Sequence, residues 1–230
     1  MNMLALDTAT SVLSIALSAN NRLWYFEIDA GLKHSELLME GVDMLLKKAG
    51  LEPEALERIA CMKGPGSFTG LRIGFSAAKG LALALGIPMV SVPTLDCMAH
   101  AYSVWPGPVL PVINARKQHY FTALYRGTER ISPYMDAAPG EILELIRSAF
   151  PKGSVLLTGP DADMIKPELG EPVSPEGFLV DPCHKNGKGR ELLDIAKNIV
   201  ILNNNEVLLG PLYLRKSDAE LHLNETISNE

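Results

Sequence analysis

The stretch GPGSFTGLRIG, residues 64–74, constrains the fold of this 230-residue chain more than any other. Glycines at 64, 66 and 70 permit a tight turn, with an apolar run before them and a helical pattern after them. The stretch therefore predicts a turn from a strand over 59–62 into a helix, in an α/β protein. Its residue spacing differs from both the Walker and the dinucleotide fingerprints. The free amides at the start of the helix could bind an anion, or Ser67 or Thr69 could simply cap it.

Upstream of this turn, three short apolar runs precede one amphipathic helix. The runs predict strands over 3–6, 12–17 and 23–28, and Asn20-Asn21 predicts a hairpin turn between the last two. Leucines at three- and four-residue spacing over 34–49 predict a helix that ends at Gly50.

Downstream of the turn, the order of elements repeats. We predict a helix over 71–85, a strand over 89–92 and a helix over 94–102 with Thr94 as its N-cap. After a rigid break at 103–108, the predicted elements are strands over 109–113, 120–125 and 131–135, a helix over 139–149, a strand over 155–158 and a helix over 190–202. The order strand-strand-strand-helix-strand-helix thus occurs twice and predicts two similar halves, 1–102 and 103–216. We expect the remaining segment, about 217–230, to pack back on the first half.

Composition and charge exclude several classes of protein. Apolar residues make up 47% of the chain and the net charge is −6, which excludes a disordered chain and leaves no basic face for gripping a nucleic-acid backbone. Cys61, Cys97 and Cys183 form no CxxC pair and suit a reducing compartment. The sequence shows no signal peptide and no apolar run of roughly 18–20 residues. It therefore predicts a cytoplasmic protein with no membrane contact.

The first predicted strand ends in LALDTAT, residues 4–10. A carboxylate at a strand end, followed by hydroxyl side chains, can face a phosphate or a metal-bound phosphate, or it can cap the hairpin as an Asx turn. Both interpretations stay open. The candidate nucleotide- or phosphate-facing residues are Asp7, Thr8, Thr10, Gly64, Gly66 and Ser67.

The helix after the glycine turn is rich in small residues. A glycine inside a helix costs about 1 kcal/mol relative to alanine. Gly74, Gly80 and the alanines near them therefore indicate close packing, either within the core or against another subunit. The sequence contains no HxxxH or HExxH pair and no G-x-S-x-G elbow, so it offers no metal site and no recognisable nucleophile.

Together these motifs resemble one family. The segments that carry the resemblance are HSELLM at 34–39, KGPGSFTGLRIG at 63–74, SAAKGLALALGIP at 76–88, SVPTLDCMA at 91–99, INARKQHYFTALY at 113–125 and PLYLRKSDAE at 211–220. They are similar to those of the TsaB family, also called YeaZ. That family usually has an aspartate where this chain has Asn114, so no acidic role is assigned to this position. The resemblance implies an actin-like, ribonuclease H-like α/β fold of two related halves, each a mixed five-stranded sheet flanked by helices.

The resemblance also implies a non-catalytic scaffold subunit. TsaB proteins accompany TsaD, the subunit that transfers threonylcarbamoyl to N6 of adenosine 37 in tRNAs reading ANN codons. TsaD has a metal-binding histidine pair where this chain has Thr94 and Met98, and neither side chain replaces an imidazole on a divalent metal. The resemblance implies that this chain requires no cofactor of its own, that ATP or ADP is held within the assembled complex, and that tRNA is contacted only through that complex.

The implied partners are TsaD, as a heterodimer, and the ATPase TsaE, with a homodimer when the chain is alone. The resemblance places the dimer contact on the helices at 35–48 and 71–85, packed as a four-helix bundle. The predicted interface residues are His34, Leu37, Leu38, Leu45, Leu71, Arg72, Gly74, Phe75, Ala78, Lys79 and Ala82.

Two other functions stay open from the sequence. A metalloprotease, an older label for a relative called glycoprotease, needs ligands that the histidine spacing does not supply. An autonomous ATPase or small-molecule kinase is suggested by LALDTAT and the glycine turn, and it would bind and turn over nucleotide without a partner.

Overall fold

The chain forms two mixed β-sheets covered by helices, in a computed structural model that describes residues 1–170, 177–201 and 210–215. The first half contains β1 (Met3–Asp7), β2 (Val12–Ala19), β3 (Arg22–Asp29), α1 (His34–Ala49), a 3-10 turn (Pro53–Ala55), β4 (Arg58–Gly64), α2 (Phe68–Leu85), β5 (Met89–Pro93) and α3 (Thr94–His100). The second contains β6 (Pro108–Arg116), β7 (His119–Thr122), β8 (Tyr125–Arg126), β9 (Glu129–Arg130), β10 (Met135–Ala137), α4 (Pro139–Ala149), β11 (Val155–Thr158), α5 (Ala162–Glu168), β12 (Phe178–Val180) and α6 (Gly189–Lys197).

The two sheets have the same topology. The first has the order β3-β2-β1-β4-β5, and β2 runs antiparallel to the other four strands. The second has the order β10-β7-β6-β11-β12, in which β7 is the antiparallel member, while β8 and β9 extend β6 as a short side ribbon. Numbered within its own half, with the side ribbon β8 and β9 left out, each sheet reads 3-2-1-4-5. The prediction of two related α/β halves is confirmed.

Local turn signals place several boundaries where the sequence predicted them. Asn20 and Asn21 have φ values of 53° and 59°, as a two-residue hairpin turn requires, and they join β2 to β3. Gly50 and Gly86 end α1 and α2 in the left-handed conformation, with φ values of 61° and 66°. The helix predicted over 34–49 has these bounds in the structure.

Both faces of the first sheet are buried. Side chains alternate along β1, so Leu4 and Leu6 pack beneath α1 and α2, while Met3 and Ala5 face the other side. That other side is covered mainly by α6, whose Leu192, Leu193 and Ala196 are buried there. The last helix among the described residues thus packs on the sheet of the first half. The segment 217–230, expected to do so as well, lies outside the described residues.

Three helix ends differ from the prediction. Helix α2 begins at Phe68, three residues before the predicted Leu71, because the Ser67 Oγ accepts a hydrogen bond from the Gly70 N–H at 3.2 Å. Thr94 is the first residue of α3 and not its N-cap, which is Pro93. Helix α6 ends at Lys197 and not near 202.

Two short elements of the second half, α5 and β12, are not predicted from the sequence. Helix α5 has seven residues with Pro167 inside it, and β12 has three residues, so neither has a readable period. The strand predicted over 131–135 is replaced by β10, since Pro133 offers no N–H for pairing. Over residues 1–170, 177–201 and 210–215, no helix combines the length and apolar character needed to span a bilayer.

Candidate functional site

A cleft of about 880 Å³ lies between the two halves, at the C-terminal ends of their central strands. Ligands of open α/β sheets usually bind at this end. The walls come from the loops after β1, β4, β6 and β11, and residues 212–215 cover one side. Each half therefore contributes the same two loops to the walls of the cleft, the loop after its first strand and the loop after its fourth strand.

The repeat is visible in the loops that follow β4 and β11. Each contains a Gly-Pro pair, Gly64-Pro65 and Gly159-Pro160, whose glycines have φ values of 107° and 89°. A Cβ at Gly64 would lie 2.6 Å from the Leu212 carbonyl oxygen, and one at Gly159 would lie 2.5 Å from the Val112 carbonyl oxygen. Both positions therefore require glycine. This recurring Gly-Pro pair is a sequence signal for the internal repeat that the order of elements alone did not use.

The carboxylate of Asp7 is buried and fully engaged by the protein. One oxygen accepts from the Ala9 N–H at 3.1 Å, and the other accepts from the Ser14 hydroxyl at 3.2 Å and from the Lys188 N–H at 2.8 Å. Burial raises the pKa of Asp7 above its ordinary value, while the two backbone hydrogen bonds act in the opposite direction. Asp7 does not line the cleft.

Helix α6 is held on the first sheet at both of its ends. At its start, Ser14 Oγ accepts from the Gly189 N–H at 2.9 Å, beside the contact of Lys188 with Asp7. At its end, the Arg58 guanidinium donates to the carbonyls of Ala196 and Ile199 at 2.6 and 3.0 Å. A carboxylate at the N-terminus and a cation at the C-terminus both complement the helix dipole. Asp7 therefore belongs to the anchorage of α6.

Glycines of the stretch 64–74 allow the β1–β2 connection to pack closely against α2. Ideal Cβ atoms at Gly66, Gly70 and Gly74 would come closer than 3.0 Å to the Ala9 carbonyl, the Thr8 carbonyl and the Thr8 Oγ1, respectively. The Thr8 hydroxyl also donates to the Gly70 carbonyl at 2.7 Å. These glycines therefore allow α2 to approach the connection closely. Of the six phosphate-facing candidates, only Thr10, Gly66 and Ser67 line the cleft.

The residues do not fit a metal-bound nucleotide in the manner of an actin-like ATPase. Hard cations such as magnesium need accessible carboxylate or hydroxyl oxygens. The Asp7 carboxylate is buried against three protein donors. Its counterpart at the end of β6 is Asn114, whose amide oxygen accepts from the Arg116 N–H at 2.7 Å. Neither hairpin offers a free carboxylate for a metal-bound phosphate.

The turn after β6 has an uncommon backbone. Arg116, Lys117 and Gln118 have φ values of 62°, 54° and 60°, although none is glycine. Such residues cost on the order of 1–3 kcal/mol each and persist where the surroundings fix them. Here Asn114 binds the Arg116 N–H, and Arg215 donates to the Ala115 carbonyl at 2.9 Å. The turn thereby presents two cationic side chains at the cleft.

The segment 211–215 crosses from one half to the other along the cleft. The Leu212 N–H donates to the Lys63 carbonyl at 2.7 Å, which ties the segment to the first half. Arg215 donates to both carboxylate oxygens of Asp136 at 2.6 and 2.7 Å, which ties it to the second. We call residues 211–215 the crossing segment. It is thus bonded to both halves and bridges the cleft.

Comparisons with known proteins agree on the family. The family model described as TsaD, tRNA N6-adenosine threonylcarbamoyltransferase, matches residues 29–199. The tRNA threonylcarbamoyladenosine biosynthesis protein TsaB of Bacillus subtilis is 30% identical over 226 residues, which make up 96% of this chain and 96% of that protein. The chain belongs to the TsaB family.

Solved structures support the same conclusion for the TsaB fold. YeaZ from Pseudomonas aeruginosa aligns with a TM-score of 0.69 at 27% identity, covering 86% of this chain and 92% of that one. Another Pseudomonas aeruginosa structure, of an uncharacterized protein with similarity to peptidase YeaZ, aligns with a TM-score of 0.75 at 25% identity, covering 93% of this chain and 99% of that one. The fold implied by the resemblance is confirmed.

In this TsaB chain, most of the predicted interface residues lie in the chain's own core. The buried ones are His34, Leu38, Leu45, Leu71, Gly74, Phe75, Ala78 and Ala82. Leu37 and Lys79 are half-buried and Arg72 is exposed. The small residues Gly74, Ala78 and Ala82 thus face the sheet, so a bulky residue at Gly74 or Ala78 would disturb the fold itself. The outward faces of α1 and α2 carry different residues.

The region where TsaD was expected to have its histidine pair is filled by core packing. Thr94 and Met98 are both buried, and Met98 packs in the apolar cluster between α3 and β6. Within the described part of the TsaB chain, no three His, Cys, Asp or Glu residues are grouped so as to hold a metal ion.

Proposed function

We propose that this TsaB chain is a non-catalytic subunit in the synthesis of N6-threonylcarbamoyladenosine in tRNA, and that it pairs with TsaD through the outer faces of α1 and α2. The process is the one in which its similar proteins take part, the synthesis of threonylcarbamoyladenosine in tRNA. The observation that carries the proposed pairing is Gly80, an exposed glycine in the interior of the 18-residue helix α2.

Nothing within the described chain explains Gly80. A Cβ built there meets no atom within 4 Å, yet glycine at such a position costs about 1 kcal/mol relative to alanine. Close approach of a second helix would explain it, because a glycine lets two helix backbones come near each other. Ser76 and Ala84, one turn before and after it, are exposed and small as well.

The surface around Gly80 has the apolar character of a protein interface. Leu83 is 64% exposed on α2, and on the neighbouring α1 Met39 and Met44 are 46% and 39% exposed. Exposed apolar groups gathered on two adjacent helices favour association with another protein. The outer face of α1 and α2 is therefore the surface on which we place TsaD, or a second copy of the chain when it is alone.

A non-catalytic role is supported by the contacts made at three positions where a phosphate-facing carboxylate or a metal ligand was considered. Asp7 anchors α6, Asn114 fixes a backbone turn, and Met98 packs in the core. Under this proposal the chain contributes surface to a complex that acts in the cytoplasm. ATP or ADP, the ATPase TsaE and the tRNA are engaged by that complex. A net charge of −6 suits contact with tRNA through a partner.

The test is pairing in solution with TsaD from the same organism, measured by size-exclusion chromatography with light scattering. The decisive variant is Gly80→Leu, and the matched control is Gly140→Leu. Gly140 is equally open, with no atom within 4 Å of its Cβ position, but it lies in α4 of the other half. We expect the wild type and Gly140→Leu to form a one-to-one complex. Gly80→Leu should remain folded by circular dichroism but fail to pair.

Two outcomes would count against the proposal. If the wild type forms no complex with TsaD even with nucleotide present, the role as its subunit fails. If Gly80→Leu pairs as tightly as the control, pairing occurs but uses another surface.

A further inference from the structure

The cleft between the halves has a charge opposite to that of the whole chain. Its lining includes three cationic side chains, Arg116, Lys117 and Arg215, and one acidic side chain, Asp161, whereas the chain carries a net charge of −6. Arg215 is paired with Asp136, outside the lining. Arg116 is exposed and forms no ion pair within residues 1–170, 177–201 and 210–215. The cleft is thus suited to an anionic group.

Exposed apolar side chains surround this cationic cleft. Leu32 is 99% exposed on the loop before α1, and Phe68 and Tyr213 are 41% and 40% exposed. The rings of Phe68 and Tyr213 are 5.2 Å apart, and the Arg72 guanidinium lies 3.8 Å above the Phe68 ring. A ligand that carries only negative charge would leave these apolar surfaces in water. The rim therefore favours a ligand with apolar side chains next to its anionic groups.

The arginine at the cleft is held ready for binding. The backbone of Arg116 is fixed in a left-handed turn by Asn114, and Arg215 holds the neighbouring Ala115 carbonyl. A fixed backbone lowers the entropy lost when the side chain forms a contact. The guanidinium can bind a carboxylate with two parallel hydrogen bonds.

We propose that this cleft is a docking groove for an acidic peptide segment of a partner protein, with a carboxylate on Arg116 and a neighbouring apolar side chain against Leu32, Phe68 and Tyr213. A metal-bound nucleotide is disfavoured because Asp7 and Asn114 offer no metal ligand. The groove lies at the strand ends, apart from the outer face of α1 and α2 around Gly80. Docking there does not depend on the pairing proposed above.

The test uses a phage-displayed library of random heptapeptides, selected on the full chain. The peptides that are enriched are then synthesised and titrated by fluorescence anisotropy against the wild type, Arg116→Glu, Phe68→Ala and Arg147→Glu. Arg147 is an exposed arginine on α4, away from the cleft, and serves as the charge-matched control. Circular dichroism and the TsaD pairing assay are run on each variant, so a fold defect or a pairing defect is seen separately.

We expect enriched sequences in which Asp or Glu is adjacent to Leu, Met or Phe. Arg116→Glu should weaken their binding at least tenfold and Phe68→Ala severalfold, while Arg147→Glu should bind like the wild type. The proposal is overturned if no saturable binder emerges, if the binders lack acidic residues, or if Arg116→Glu binds them equally well. Saturable binding of ATP with magnesium that Arg116→Glu abolishes would replace the peptide by a nucleotide.

Discussion

The Asp7 carboxylate accepts a hydrogen bond at 2.8 Å from the backbone N–H of Lys188, which lies 181 residues further along the chain. This bond joins the end of the first strand to the start of α6. The carboxylate of LALDTAT, a candidate phosphate-facing group in the sequence, therefore makes an internal contact. The consequences for stability can be measured directly.

Replacing Asp7 by alanine should destabilise the protein by about 1–3 kcal/mol, because buried donors at Ala9, Ser14 and Lys188 lose their acceptor. Urea unfolding gives the free energy, and hydrogen exchange should show faster opening of the Lys188 amide. Asp194→Ala, which removes an exposed carboxylate from α6, is the control and should change stability by less than about 0.5 kcal/mol. Unaltered exchange at Lys188 in Asp7→Ala would refute the anchoring role.

The shifted pKa of Asp7 predicts that the free energy of unfolding depends on pH. Burial raises the pKa of Asp7, so the folded chain favours the protonated carboxyl. The part of its contribution to stability that comes from this raised pKa is complete below the unfolded-state pKa of about 3.9 and is lost as the pH rises through the raised folded-state value. The free energy of unfolding of the wild type, minus that of Asp7→Asn, should therefore fall as pH rises across this window. Urea titrations at several pH values measure the difference, and a constant or rising difference contradicts the prediction.

Alanine substitutions at two glycines of α2 should change the stability of the isolated chain in opposite directions. At Gly74 the added Cβ collides with Thr8 Oγ1, which should cost about 1–3 kcal/mol. At Gly80 the Cβ enters open space in an exposed helix, so the isolated chain should gain about 0.5–1 kcal/mol. Thermal unfolding of both variants measures the sign. Equal shifts would mean that α2 does not face the sheet in the way described.

The crossing segment should detach from the second half when Arg215 is changed to methionine. The charged hydrogen bonds to Asp136 contribute about 1.5 kcal/mol or more, so exchange of the Leu212 amide should accelerate roughly tenfold. Tyr213→Phe keeps the ring against Phe68 and loses only the bond that its hydroxyl accepts from Arg72. It should leave this exchange nearly unchanged. An unchanged Leu212 rate in Arg215→Met would show that the first half alone holds the segment.

Elements with local signals could be predicted from sequence, and those without them could not. The Asn20-Asn21 turn and the Gly50 helix end are set by the backbone preferences of the residues themselves. Helix α5, short and interrupted by Pro167, offers no such pattern and was missed. The repeated order of strands and helices was nevertheless enough to predict two related halves.

The site was harder to predict because its decisive contacts are distant in sequence. LALDTAT has the same local pattern whether Asp7 faces a phosphate or the Lys188 amide. In α2, helical spacing groups Gly74, Ala78 and Ala82 on one face but does not show which face is inward. The structure shows that they face the sheet, and that Gly80 and Leu83 point outward. The arginine turn at 116–118 had no sequence signal, because positive φ is unusual for all three of its residues.

The difference in length between α2 and α5 affects how many helix surfaces the chain can offer to other subunits. Both helices join the fourth and fifth strands of their sheets, but α2 has 18 residues and α5 has seven. Among the described residues, only the first half therefore offers a long pair of adjacent helices to another subunit. A chain with such a face on both halves would add subunits at each end and grow into a filament. Under the pairing proposed above, one such face per chain would limit association through this face to two members and so give a closed assembly.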